Sequence, residues 1–448
     1  MIGRRTKQAA IATALSVVII STALIIRTNH HKAAIEYLEE MLKLKVLQVL
    51  YPDHHYTREN YTDFQLIPEE KQDMFLKYEE LQEEPNYKKE SATFFSLVRN
   101  EELYPMLQSI RYVEDRFNKR YHYDWLFAND QEFTEEFKEE VGNMVSGTAT
   151  FVQIPKEMWS YPDHIDQERA AKTRRVMRKQ GVKYGGSESY RFMCRFNSGF
   201  FYKLKELARY KYYWRVEPDI KFTCDLDYDY FRYMRENNLK YGFTMSLHEL
   251  SETVNGLFDA TTQFFRDLHP EYISKDHQVD FITQDEGKTF NMCHYWSNFE
   301  IGDLDWLRSK EYEDYFQHLE NKGGFFYERW GDAPVHTLAA SYMLNKNEVH
   351  YFDNTGYYHI PHTQCPRDAH TRESLKCTCQ VSKDFNWGSR DSCLAYWYET
   401  RDEQRPPWAP GKKLYTARRP KAPSRDDFVN KRDGEDTIPG LSERRAFL

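Results

Sequence analysis

The chain has 448 residues, enough for two or three domains of ordinary size and ample to bury a core. Its 62 Lys+Arg against 70 Asp+Glu leave a net charge of −8, which argues against nucleic acid as a partner. Aromatic residues make up 16% of the chain, a content that excludes disorder as its general state.

At the N-terminus a short segment, 1–8, carries Arg4, Arg5 and Lys7. It is followed by residues 9–26, free of charge and long enough for a membrane-spanning helix. This apolar run exceeds the ~7–15 residues of a cleaved signal, so it reads as a signal-anchor, with the basic end cytoplasmic and the remainder lumenal. A sequon, Asn60-Tyr61-Thr62, falls on the lumenal side and marks Asn60 for glycosylation. Residues 27–90 read as a stem: Ile35, Leu38, Leu42, Val46 and Val49 recur with helical spacing, and a polar stretch follows.

From residue 91 the pattern changes to strands alternating with helix-length segments. Residues 91–100 read as a buried strand, Leu103 to Phe117 as a helix, and 123–127 as the strand closing a βαβ unit. Further strands are expected at 212–216, 241–247 and 348–352. This alternation predicts an α/β fold with ligands at the carboxyl ends of the strands, extending over 91–417. The proline-rich remainder, 418–448, reads as a disordered tail.

No P-loop, Rossmann fingerprint, nucleophile elbow or His-Glu-x-x-His is present. One strand instead runs straight into acid, Tyr212-Tyr-Trp-Arg-Val-Glu217-Pro218-Asp219. Carboxylates in that position suit a hard divalent ion bridging to a nucleotide diphosphate. Asp225-x-Asp227-x-Asp229 follows, and reads better as the start of a helix. Seven cysteines suit up to three disulfides in a lumenal protein, with one left over; the last four, Cys365, Cys377, Cys379 and Cys393, are also a possible zinc set.

The blocks Tyr213-Trp-Arg-Val-Glu-Pro-Asp219, Met193-Cys-Arg-Phe-Asn-Ser-Gly-Phe-Phe201 and Tyr295-Trp-Ser-Asn-Phe-Glu-Ile-Gly-Asp303 carry a family resemblance. So do Gly323-Gly-Phe-Phe-Tyr-Glu-Arg-Trp-Gly-Asp-Ala-Pro-Val-His336 and Gly356-Tyr-Tyr-His-Ile-Pro361. Together they resemble the fungal killer-toxin-resistance family of Golgi α-1,2-mannosyltransferases, over about 91–366. The resemblance implies a glycosyltransferase-A type fold, a type II Golgi membrane protein, and Mn²⁺-dependent transfer of mannose from GDP-mannose, with retention, to a mannose-terminated glycan. It implies Glu217 and His359 as metal ligands, Glu300 as the catalytic carboxylate and Tyr190 as an acceptor contact. Asp332 is expected near the acceptor, with Arg99 and Asp219 on the donor side. A mannosylphosphate transferase using the same donor, or a catalytically silent Golgi sugar-binding scaffold, are the alternatives.

Overall fold

The computed structural model describes residues 87–285 and 287–401, with Pro406 and Ala409. The cytoplasmic segment, the 9–26 anchor, Asn60, the stem up to residue 86 and the 418–448 tail lie outside the described residues. Among the described residues no helix is long and apolar enough to cross a membrane.

Twelve strands are described: β1 (Ala92–Leu97), β2 (Asp124–Asn129), β3 (Ala149–Gln153), β4 (Tyr212–Arg215), β5 (Lys221–Phe222), β6 (Tyr241–Phe243), β7 (Ser246–His248), β8 (Cys293–Tyr295), β9 (Glu300–Asp303), β10 (Val349–Tyr351), β11 (Tyr357–His359) and β12 (His362–Thr363). Seven form one sheet in the order β10-β6-β9-β4-β1-β2-β3. All are parallel except β9, which runs antiparallel to both neighbours, β4 and β6. The central strands are buried on both faces. That is why β1 and β4 read as continuous runs, Ala-Thr-Phe-Phe-Ser and Tyr-Tyr-Trp-Arg, without polar alternation.

The helices follow from the same patterning. In α1 (Leu103–Val113), Leu103, Met106, Ile110 and Val113 form the buried stripe, and the helix is the crossover between β1 and β2. Beyond Val113 it widens into a looser turn that places Phe117 in the core. Polar caps start α2 (Glu135–Met144), α3 (Gln167–Lys179) and α4 (Glu188–Gly199): Thr134, Asp166 and Ser187 each accept from a first-turn N–H. α5 (Lys310–Lys322) begins at Ser309 and ends at Gly323, whose φ of +68° suits glycine. α6 (Asp332–Met343) is buried from Asp332 to Tyr342, so it carries no polar face.

The expected strand over 241–247 is divided. Residues 241–243 stay in the main sheet, and 246–248 leave it as β7 to pair with β8. Asp229 caps the helix Tyr230–Glu236, as the acid–aromatic alternation suggested, while Asp225 pairs with Arg116. Most of the aromatic excess is core: Phe94 packs on Trp125 with centroids 4.5 Å apart and on Trp214 at 5.6 Å.

Six cysteines pair as Cys224–Cys377, Cys293–Cys393 and Cys365–Cys379, and Cys194 is buried and free. The four C-terminal cysteines are thereby divided among three disulfides and form no zinc site.

Candidate functional site

The antiparallel insertion of β9 builds the centre of the site. Its N-terminal end lies at the edge where the parallel strands end, so Glu300 pairs with Phe243 at the close of β6. On the other side Ile301 pairs with Trp214, which sets Glu300 beside Arg215 at the end of β4. Both side chains are buried, as are Asp332 and His336 on the first turns of α6.

Arg215 links the carboxylates. Its Nε donates to Glu217 Oε1 at 2.6 Å and its Nη1 to Asp332 Oδ2 at 2.5 Å, with Glu300 Oε1 at 3.9 Å. Burial opposes the guanidinium's charge, but Glu217, Asp332 and Glu300 outweigh it and hold its pKa above the ordinary arginine value. Burial likewise works against the Asp332 carboxylate, yet Arg215, His336 and the Ser297 hydroxyl, which donates at 2.7 Å, keep its pKa below the usual range.

Glu300 Oε2 accepts from the Tyr241 hydroxyl at 2.8 Å and from His336 Nδ1 at 2.9 Å. The other imidazole nitrogen, Nε2, lies 3.1 Å from the Asn197 carbonyl. Both ring nitrogens thus face acceptors, and only the imidazolium can donate to both. Burial pushes the His336 pKa down, but Glu300 and Asp332 prevail and it stands above its ordinary value. Three carboxylates, Glu217, Asp332 and Glu300, thus share the site with Arg215 and His336.

Glu217 is the carboxylate at the exposed end. Its side chain is 22% accessible against 1% for Glu300. Arg215 engages Oε1, leaving Oε2 to take a second cation. His359 is brought to it by the small sheet β12-β11-β5, since β5 follows Glu217-Pro-Asp directly and pairs with β11. Nδ1 of His359 lies 3.2 Å from the Ile360 carbonyl, which makes it the protonated nitrogen and leaves the lone pair on Nε2. Burial lowers the His359 pKa against the opposing charge of Glu217, so the ring is neutral. A carboxylate oxygen and a neutral imidazole nitrogen are a donor set that fits Mn²⁺.

The remaining expected residues surround this centre. Tyr190, on the first turn of α4, has its hydroxyl pKa raised by burial and, among several charges, by Asp332 and Glu249. The Arg329 guanidinium lies 5.1 Å from its ring. Arg99 is exposed just beyond β1, in a recess shared with Glu101, Glu102, Asn129, Asp130 and Gln131 at the ends of β1 and β2. Asp219 is exposed at the turn after Glu217, with φ +61°, and takes no part in the Arg215 network. Sequence reasoning passed over Arg215, Tyr241, Ser297 and His336 as site residues. Arg215, Ser297 and His336 stood inside quoted blocks, and for Arg215 a charged residue in an otherwise apolar strand was the available signal.

The family model described as glycolipid 2-alpha-mannosyltransferase matches residues 52–402, starting within the segment read as stem. The chain is 52% identical over 314 residues to glycolipid 2-alpha-mannosyltransferase 1 of Candida albicans, covering 70% of this chain and 72% of that one. It is 49% identical over 318 residues to alpha-1,2 mannosyltransferase KTR1 of Saccharomyces cerevisiae, covering 71% and 80%. Among solved structures it resembles core-mannan synthase A of Aspergillus fumigatus in its Mn/GDP form, with TM-score 0.67 and 37% identity over 72% of this chain and 88% of that one. The mannosyltransferase Ktr4p of S. cerevisiae in complex with GDP gives TM-score 0.66 and 35% identity over 73% and 91%. The mixed α/β fold expected from the sequence is the one these glycosyltransferases share, and this chain belongs to the glycolipid 2-alpha-mannosyltransferase family.

Proposed function

We propose that this chain is a GDP-mannose-dependent α-1,2-mannosyltransferase that adds mannose, with retention, to a mannose-terminated glycan in protein N- or O-glycosylation. The observation that carries this reading is that Glu217, whose charge acts on His359, lies at the edge of a buried Arg215–Asp332–Glu300–His336 network, in a chain of this family. Glu217 and His359 would hold Mn²⁺, which when bound neutralises the departing diphosphate. Arg215 keeps Glu217 oriented from behind.

Glu300 is the carboxylate for the β-face of the transferred sugar, and Tyr241 and His336 hold it in one orientation. Asp332 and Tyr190 lie on the acceptor side. Arg99, just beyond β1, and Asp219, in the turn after Glu217, are assigned to the donor side.

The same reading places the catalytic domain in the Golgi lumen behind a 9–26 anchor, with glycan on Asn60. Support comes from the pairing of six of seven cysteines, which needs an oxidising compartment.

The test is GDP release and glycan extension by the full-length chain with GDP-mannose and Mn²⁺. Glu217→Ala and His359→Ala should each remove most Mn²⁺-dependent turnover and weaken GDP-mannose binding while the domain stays folded. Full activity in EDTA would overturn the metal assignment.

A further inference from the structure

Between α3 and α4 the chain makes a tight turn, residues 181–187, whose tip is Tyr184. Its side chain is 54% exposed, and its φ of +56° lies in the left-handed region, where an aromatic residue is a rare occupant. Glycine flanks it at 185 and 186, so a residue without a side chain would have met the needs of the backbone here at less cost.

The turn is held rigidly. Arg191, fully buried, donates from Nη1 to the carbonyls of Gly185 at 3.0 Å and Ser187 at 2.8 Å, and from Nε to that of Glu328 at 3.2 Å. Arg178 adds a bond to the Gly186 carbonyl at 3.1 Å. A buried guanidinium spent on backbone carbonyls ties the turn to the segment leading into α6.

The turn also borders the site. The Tyr184 ring stacks on that of Tyr190 with centroids 4.6 Å apart and planes 13° from parallel. Tyr190 in turn feels the charge of Asp332. Through that stack, and through the Arg191 bond to Glu328 four residues before Asp332, Tyr184 lies outward of the expected acceptor contact Tyr190.

We propose that Tyr184 is a stacking platform for the second sugar of the acceptor, the mannose next to the one that receives the new linkage. This rests on the mannosyltransfer reading above. A pyranose presents a face of C–H groups, and a flat, preorganised, solvent-facing phenol ring binds such a face, with the Lys183 ammonium 5.6 Å from the ring centroid within reach of the sugar's hydroxyls. Tyr190, one ring further in, is the expected contact of the terminal sugar, and the next sugar would reach Tyr184. Enzyme of this design favours an acceptor of at least two sugars over a monosaccharide.

The experiment compares the full-length wild type with Tyr184→Ala and Tyr184→Phe, using methyl α-mannoside and α-mannobiose as acceptors at saturating GDP-mannose and Mn²⁺. Tyr184→Ala should raise KM for mannobiose by roughly tenfold, the size of a lost stacking contact, and leave KM for methyl α-mannoside and GDP-mannose binding unchanged. Tyr184→Phe keeps the ring and should behave as wild type. Equal losses with both acceptors, or none with either, would overturn this proposal alone. Wild-type protein that transfers to neither acceptor would instead overturn the mannosyltransfer reading, and this proposal with it.

Discussion

Glu300 Oε2 and His336 Nδ1 form a buried pair 2.9 Å apart. Glu300→Gln keeps the shape and the acceptor oxygen for Tyr241 and His336 but removes the charge facing the sugar. Donor affinity, which the proposal assigns to Glu217, His359 and Arg99, should hold while kcat falls about 10²–10³-fold. An effect within a few-fold would make Glu300 a positioning residue only.

His336 has its folded pKa above its ordinary value of about 6.5. A raised folded value means that the pair's contribution to stability is complete below the unfolded pKa and is lost as pH rises through the folded one. The gap in melting temperature between wild type and His336→Gln should therefore be widest below pH ~6.5 and close on the alkaline side. A gap that widens with pH would contradict the imidazolium assignment.

At the level of elements, β9 is the strand on which the site depends, because it reverses direction in a sheet otherwise parallel and so delivers a residue from its start. Its fit against β4 is close. A Cβ on Gly302 would lie 2.4 Å from Cε1 of Tyr213, its partner in register. The Tyr213 ring is buried against Phe201 at 4.8 Å and has no room to retreat. Gly302→Ala should cost about 1–3 kcal/mol in urea unfolding, the usual penalty of overpacking, and should lower kcat by shifting Glu300. Unchanged stability would show that the sheet yields more readily than its packing implies. None of this was visible in Glu300-Ile-Gly-Asp303 alone, a four-residue stretch too short for a period to register.

Across the whole molecule two of the three disulfides join segments far apart in the chain. Cys293–Cys393 spans 100 residues and fastens β8 to the start of the helix Leu394–Thr400. Replacing both cysteines by Ala should lower stability by about 2–5 kcal/mol, measured by denaturant unfolding. Thiol titration of the unfolded, unreduced chain should find one reactive group, Cys194; three or more would mean that a pair is missing. Sequence spacing left this connectivity open, because seven cysteines allow many pairings and the choice is made by which strands lie side by side.

Local and medium-range features were determined by the sequence itself. The βαβ start, the acid-ending strand at Glu217 and the helix cap at Asp229 each follow from apolar periodicity or from a side chain satisfying nearby backbone groups. The family blocks likewise named Glu217, Glu300 and His359 before any of them had a position. Tertiary structure alone decided that β9 runs antiparallel, that β5 and β11 pair to bring His359 to Glu217, and that Arg215 and His336 are buried among carboxylates. The reason is physical: a charge's meaning depends on what it faces once water is removed. Those partners come from strands and helices distant in the chain, joined by a sheet order that no local pattern encodes.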